Sequence, residues 1–305
     1  MQDGSGQETK APDGVVGRRN AAEGEVTADG VEELLATFDH PPRRPPAGEP
    51  IPPAWHWLYL RTVAPQHELG PDGHPRTGSF LPALPSLPRR MWGGSRLHFL
   101  RPIRVGDRLT AASEIVDCAM RQGRSGRFAV VTVRHEVSAG GALATVDEHD
   151  IIYREPAAPA AEAGRRADAS SPAAAAETAD FERIVQPDPA MLFRFSAVTF
   201  NGHRIHYDHP YVTQVEGYPG LVVHGPMMAL LMLDLLHRQR PGIDIERFEF
   251  RALSPVFVPQ RIAVKARATA DGGFATWIES PGGVAMRGVA TCRRSGSGTA
   301  AAAPQ

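Results

Sequence analysis

Lysine is almost missing from this sequence: it occurs only at Lys10 and Lys265, and arginine carries nearly all of the basic charge. Acidic residues balance it to a formal net charge of -1, so no excess of positive charge is offered to nucleic acid or an anionic membrane. Cysteine is equally sparse. Cys118 and Cys292 lie far apart with no CxxC partner, which argues against a disulfide framework or a cysteine zinc site and leads to the expectation of a reducing cytoplasm. Long apolar runs are lacking too: the longest, Leu221 to Leu236, is broken by His224, Gly225, Pro226 and Asp234, too short and too interrupted to span a bilayer. The first residues, Met1 to Gly14, carry neither a basic nor an apolar stretch, so no secretory signal is expected. No GxSxG, Walker loop, GxGxxG or zinc-protease motif is present, which removes the commonest hydrolase, nucleotidase and dehydrogenase readings.

What remains is a globular composition, 42% hydrophobic and 22% charged, over 305 residues. Residues 1 to 28 are polar and Gly-rich and are expected to be disordered, residues 156–180 read as an Ala/Glu/Pro-rich flexible linker, and 296–305 as a tail. Two blocks of domain size are left, 29–155 and 181–295. The first opens with a short helical pattern from Val31 to Phe38, with Thr27 and Asp29 as caps. It continues through Trp55, Trp57 and Tyr59 and a Pro/Gly-rich stretch from Pro65 to Pro88. Four strand-like runs follow, from Arg96, Arg108, Phe128 and Leu143, with connections too short for crossover helices.

In the second block an apolar run, Leu192 to Phe200, leads into Asn201-Gly-His-Arg-Ile-His206-Tyr-Asp208. A helix is expected from Pro226 to Arg238 with Gly225 as its N-cap, then strands at Ile245–Ala252, Arg261–Ala270, Phe274–Glu279 and Ala285–Cys292. Asp271-Gly272-Gly273 reads as a hairpin turn. One apolar helix with an antiparallel sheet is α+β.

The stretch from Phe193 to Tyr211, followed by Pro219-Gly-Leu-Val-Val-His224-Gly225-Pro-Met-Met, resembles the (R)-specific enoyl-CoA hydratases and MaoC-like dehydratases. In that family a strand ends in a catalytic carboxylate, a His follows five residues later, then an acidic residue and Pro, and a His-Gly pair opens the central helix. Here Asn201 stands where the carboxylate is usual, and His203 where Asn is. The Asn is shared with a two-domain subgroup, the mesaconyl-C4-CoA hydratases and mitochondrial-type 3-hydroxyacyl-thioester dehydratases. Leu69-Gly-Pro-Asp-Gly-His-Pro, Pro88-Arg-Arg-Met-Trp-Gly-Gly and Gly106-Asp-Arg also resemble that subgroup's N-terminal domain.

The resemblance implies a double hot-dog fold, each unit a long helix wrapped by an antiparallel sheet. The C-terminal unit is then catalytic and the N-terminal one shapes the acyl pocket. It further implies a hydro-lyase acting on an α,β-unsaturated acyl-CoA, of which mesaconyl-C4-CoA is one candidate, with a fatty-acid-type dehydratase and a non-catalytic acyl-CoA binder as alternatives. Asn201 would hold the water through its amide oxygen, His206 would move the proton, and the Gly225 N–H would take the thioester oxygen. Arg194, Arg204 and His224 are candidate substrate contacts, the arginines as the cation a dicarboxylic acyl group needs. No cofactor and no metal are expected, and a homodimer of whole chains is. Read without the family, Asn201-Gly202 is a type I′ hairpin signal, and His203, His206 and His209 are candidate metal ligands.

Overall fold

The computed structural model describes residues 13–123, 126–156 and 177–293. Most of the expected linker and tail, and the first twelve residues, lie outside the described residues. Ten strands form one sheet in which every pairing is antiparallel. They are β1 (Arg19–Glu25), β2 (Arg89–Phe99), β3 (Arg108–Gly123), β4 (Gly126–Ala139), β5 (Ala142–Arg154), β6 (Phe181–Val185), β7 (Ile245–Ala252), β8 (Ile262–Ala268), β9 (Phe274–Ser280) and β10 (Gly283–Cys292). The helices are α1 (Ala28–Thr37), α2 (Pro189–Thr199), α3 (His209–Gln214) and α4 (Gly225–Gln239).

The sheet runs β1-β3-β4-β5-β2-β7-β10-β9-β8-β6. Each half follows the same path: its first strand lies at an outer edge, its second at the centre, and the other three fill in between. The two halves meet where β2 pairs with β7, from Gly94 opposite Arg251 to His98 opposite Arg247.

Alternation explains most strands. In β3 the residues from Arg108 to Ile115 alternate strictly outward and inward, with Leu109, Ala111, Ser113 and Ile115 buried. Helix α4 is apolar on all sides, and Met227 through Leu236 are all buried, as a core helix requires. It packs on β2, β6, β8, β9 and β10. Its one buried charge, Asp234, is met by Arg183 at 2.9 Å and Arg238 at 2.7 Å. Both arginines also donate to the carbonyl of Phe38 at the end of α1.

Four expectations are corrected. Residues 19–25, read as disordered, form β1. Its side chains are mostly exposed, so no apolar periodicity betrays it, and the β3 edge holds it through the backbone. The long helix expected in each half is found in the second only. Among the described residues the first half has the ten-residue α1, capped by Thr27, whose hydroxyl accepts the Gly30 N–H at 3.2 Å. The run before Asn201 is a helix and not a strand, capped by the Asp188 carboxylate on the Met191 N–H at 2.7 Å. Asn201-Gly202 accordingly is no hairpin, whereas Asp271-Gly272-Gly273 does join the paired strands β8 and β9. The α4 N-cap is His224, one residue earlier than expected.

Candidate active site

Helix α2 ends at Phe200, a non-glycine residue in the left-handed region with φ 53°, and the Asn201 N–H returns to the Ser196 carbonyl at 2.8 Å. The turn that follows lies against the segment before α4, where the Val222 N–H bonds the Ile205 carbonyl at 3.0 Å. The Asn201 amide oxygen accepts the His203 N–H at 3.0 Å. Among the described residues one lone pair and both amide protons have no other partner.

His206 is buried, and its Nδ1 lies 2.7 Å from the Val222 carbonyl oxygen. A carbonyl only accepts, so Nδ1 carries the proton and donates it, and Nε2 is left with a lone pair. Burial holds His206 well below the ordinary imidazole value, with His203 adding to the effect and the Val222 bond opposing it. The ring is therefore neutral at neutral pH. His224 stacks on its back at 3.6 Å between centroids and bonds the Ser196 hydroxyl through Nε2 at 2.8 Å.

The first half also reaches this place. The turn from Leu69 to Pro75, closed by a one-residue bridge, docks on the Asn201–His206 turn. The Arg204 N–H bonds the Asp72 carbonyl at 2.9 Å, and the Arg204 guanidinium bonds the Pro71 carbonyl at 2.9 Å. The His74 ring lies tilted against His203 at 4.1 Å, and His203 stands edge-on to His206 at 5.4 Å. His74 Nδ1 is 3.1 Å from the Asp72 carboxylate, which also accepts from Arg90 at 3.2 Å. Burial alone would raise the Asp72 carboxyl, but His74 and Arg90 hold it well below the usual carboxylate range. His203 is pushed down to about 2, by burial first and then by His74. Four imidazoles thus stand in a row, His74, His203, His206 and His224, with a carboxylate at one end and a serine at the other.

Of the expected trio, His206 stacks on His224, the residue before Gly225, and Asn201 bonds the N–H of His203, three residues before His206. Gly225 is the first residue of α4, where the N–H has no intrahelical acceptor and the helix dipole is positive. Trp92 of β2 lies beside it: a Cβ on Gly225 would sit 3.9 Å from the Trp92 Cβ. Trp57 packs on Trp92 at 4.8 Å and donates to buried Asp147 at 2.7 Å, and Phe250 completes the wall, 6.0 Å from Trp92.

The other candidates lie differently. His224 has no exposed surface and serves as the backing of His206. Arg204 is spent on Asp208, on the Pro71 carbonyl and on the face of Tyr211 at 4.1 Å. Arg194 is exposed on α2 and lines a shallow surface cleft of about 330 Å³ with Glu33, Thr37 and Phe193, none of which belongs to the histidine row. His209 is exposed at the start of α3, so the histidines of the motif do not converge as a metal set. Asp72, His74 and His203 do place one ligating atom each within 4.8 Å of one another. The sequence reading did not single out Asp72, His74 or Arg90 as site residues, although they lie in the two first-half motifs that carry the resemblance.

The sequence profile of the hydroxyacyl-thioester dehydratase type 2 family matches residues 54–258. The mesaconyl-C4-CoA hydratase of Chloroflexus aurantiacus is 41% identical over 259 residues, which is 84% of this chain and 89% of that protein. The mitochondrial hydroxyacyl-thioester dehydratase type 2 of Schizosaccharomyces pombe is 39% identical over 98 residues, 32% of this chain and 31% of that one. Among solved structures, a MaoC-like dehydratase from Phytophthora capsici superposes with a TM-score of 0.68 at 12% identity, covering 92% of this chain and 98% of its own.

Proposed function

Because the chain belongs to the family of type 2 hydroxyacyl-thioester dehydratases, we propose that it adds water reversibly to a short α,β-unsaturated acyl-CoA, a branched dicarboxylic one such as mesaconyl-C4-CoA above all. The observation that carries this reading is His206. With Nδ1–H committed to the Val222 carbonyl, Nε2 is the lone pair of a neutral imidazole whose ring stacks on His224, the residue before the N–H that opens α4. Asn201 holds the water, His206 takes its proton as oxygen attacks the β-carbon, and the Gly225 N–H carries the charge that gathers on the thioester oxygen. The wall of Trp92, Trp57 and Phe250 beside Gly225 favours a short acyl group over a long one.

In this reading the shared strand path makes the chain a double hot-dog, a fused counterpart of a two-chain assembly, with two such chains forming a homodimer. Its second half, residues 181–295, is catalytic, and residues 29–155 form the acyl pocket. Among the described residues no helix is long and apolar enough to cross a membrane, and both cysteines are free, in keeping with a cytoplasmic enzyme. The chemistry uses no cofactor and no metal, so prolonged dialysis against EDTA leaves turnover unchanged. The deciding experiment is hydration across a panel of short, long and dicarboxylic enoyl-CoA thioesters. Turnover of short substrates supports the reading, preference for long ones moves it to fatty-acid metabolism, and no turnover of any rejects it.

A further inference from the structure

Asn201 cannot act as a base, and the carboxylate of its own motif, Asp208, is engaged by Arg204 at 2.8 Å and by the Tyr211 N–H at 3.0 Å. One proton carrier, His206, therefore faces a reaction that needs a proton taken from water and another given to the α-carbon. The carboxylate that does reach the imidazoles comes from the first half. Asp72 is fixed three ways: its Oδ1 accepts the His74 N–H at 3.1 Å, its Oδ2 meets His74 Nδ1 at 3.1 Å, and Arg90 holds it from the other side. The turn carrying it is itself locked, by Gly70 N–H on the His74 carbonyl at 2.7 Å and by the backbone of Arg204.

The geometry points to His74, oriented by Asp72, as the second acid–base residue of the site, contributed by the half that carries none of the Asn201–His206 motif. The inference rests on the hydratase reading. In the hydration direction the water oxygen bonds to the β-carbon and its proton goes to His206 Nε2. The π pair of the double bond moves toward the thioester, whose oxygen is held by the Gly225 N–H. The α-carbon then takes a proton from His74 Nε2 as the carbonyl re-forms. His206 is left with one proton more and His74 with one fewer, and both exchange with solvent once product has left. His206 is 6% exposed, whereas His74 lies beside the Asp72 carboxylate and is 29% exposed to solvent. The titratable and charged groups around His74 are Asp72 and Arg90 on its own half, and His203, His206, Arg204 and Tyr211 on the other.

The test is steady-state hydration of a short enoyl-CoA by the full-length His74→Ala, His74→Gln and Asp72→Asn variants, with melting temperatures to show that each is folded. Expected for His74→Ala and His74→Gln is a loss of roughly 10²-fold in kcat, the order typical of a positioned proton donor, with KM within a few-fold. The pH profile of kcat should lose one limb, and added imidazole should restore part of the rate in His74→Ala but not in His74→Gln. Asp72→Asn should keep a weaker limb at a displaced pH. Unchanged kcat in folded His74→Ala, or a loss confined to KM, overturns the proposal while leaving the hydratase reading intact. Near one zinc per chain, lost on His74→Ala, also overturns it by making His74 a metal ligand with Asp72 and His203. Absence of wild-type turnover on every thioester sinks the functional reading, and the proposal with it.

Discussion

Gly73 and Gly202 meet backbone to backbone: a Cβ on Gly73 would lie 2.0 Å from the Gly202 carbonyl oxygen, and one on Gly202 would lie 2.9 Å from that of Gly73. Gly73 is also in the left-handed region, with φ 85°. No side chain fits between the two turns, and the contact sets how closely Asp72 and His74 approach the second half. Gly73→Ala should therefore push the turns apart. Displacement of catalytic groups by about 1 Å costs on the order of 10²-fold in rate, so a loss of that order in kcat/KM is expected, with a lowered melting temperature because the clash is with backbone. Wild-type kinetics in this variant would show that the docking has no part in the reaction.

His206→Ala should remove the base itself. Turnover should fall by roughly 10²–10⁴-fold with little change in KM. Asn201→Asp makes a sharper companion, since it restores the carboxylate usual in single-domain relatives. It should retain measurable activity and introduce a new limb in the pH–rate profile at acid pH. Wild-type turnover in His206→Ala would move the chemistry away from this motif.

Trp92→Ala should open the wall beside Gly225. Relative to wild type, kcat/KM for an eight-carbon enoyl-CoA should rise against that for a four-carbon one. Deleting a large aromatic costs about 3–5 kcal/mol when it is fully buried, and Trp92 is only partly so, so a somewhat lower melting temperature is expected as well. An unchanged chain-length preference would exclude Trp92 as the limit on the acyl group.

Acidification should weaken the fold before any carboxylate titrates. Burial pushes His135 to about 3 and His203 to about 2, and it lowers His206, His224 and His237 too. Unfolded histidines take up protons near pH 6.5 and these folded ones do not, so the unfolded state binds more protons below that pH. Each costs up to about 1.4 kcal/mol of stability per pH unit in that window. Urea titrations at pH 7.5, 6.5 and 5.5 should give a midpoint already somewhat lower at pH 6.5, where the unfolded rings are half protonated, and a much lower one at pH 5.5. A flat response would mean that these rings are protonated in the native protein.

Asp234→Ala should destabilise without touching the site. The side chain is 3% exposed and holds Arg183 and Arg238, which together grip the end of α1. Removing one partner of such a buried cluster typically costs about 3–5 kcal/mol. Thermal unfolding should show it as a clear drop in melting temperature, with kcat of the remaining folded protein close to wild type.

Where side chains alternate between core and water, the sequence was easy to read: β7 was expected at Ile245–Ala252 and is found there, because Ile245, Phe248 and Phe250 turn inward between charged neighbours. Helix α2 was not read as a helix, since Leu192 to Phe200 showed only as an apolar run. The informative signal was Asp188-Pro189, a cap and a first-turn proline. Strand β1 carries no apolar pattern at all, since its pairing is made by the backbone. Asn201, His206 and Gly225 stood out as candidates because they share one stretch of chain. Asp72, His74 and Arg90 did not, since they lie in turns and a strand end far from it, and only the docking of two turns makes them neighbours.

The repeated strand path has an evolutionary consequence. An assembly of two identical chains must repeat every alteration in both copies, so a change that improves one surface burdens its twin. A single chain holding both halves is released from that rule. One half is free to shorten its helix and extend a turn across the divide, while the other keeps the full-length helix. The pairing of β2 with β7 keeps the two in fixed register as they diverge, so that unlike partners still meet at one place.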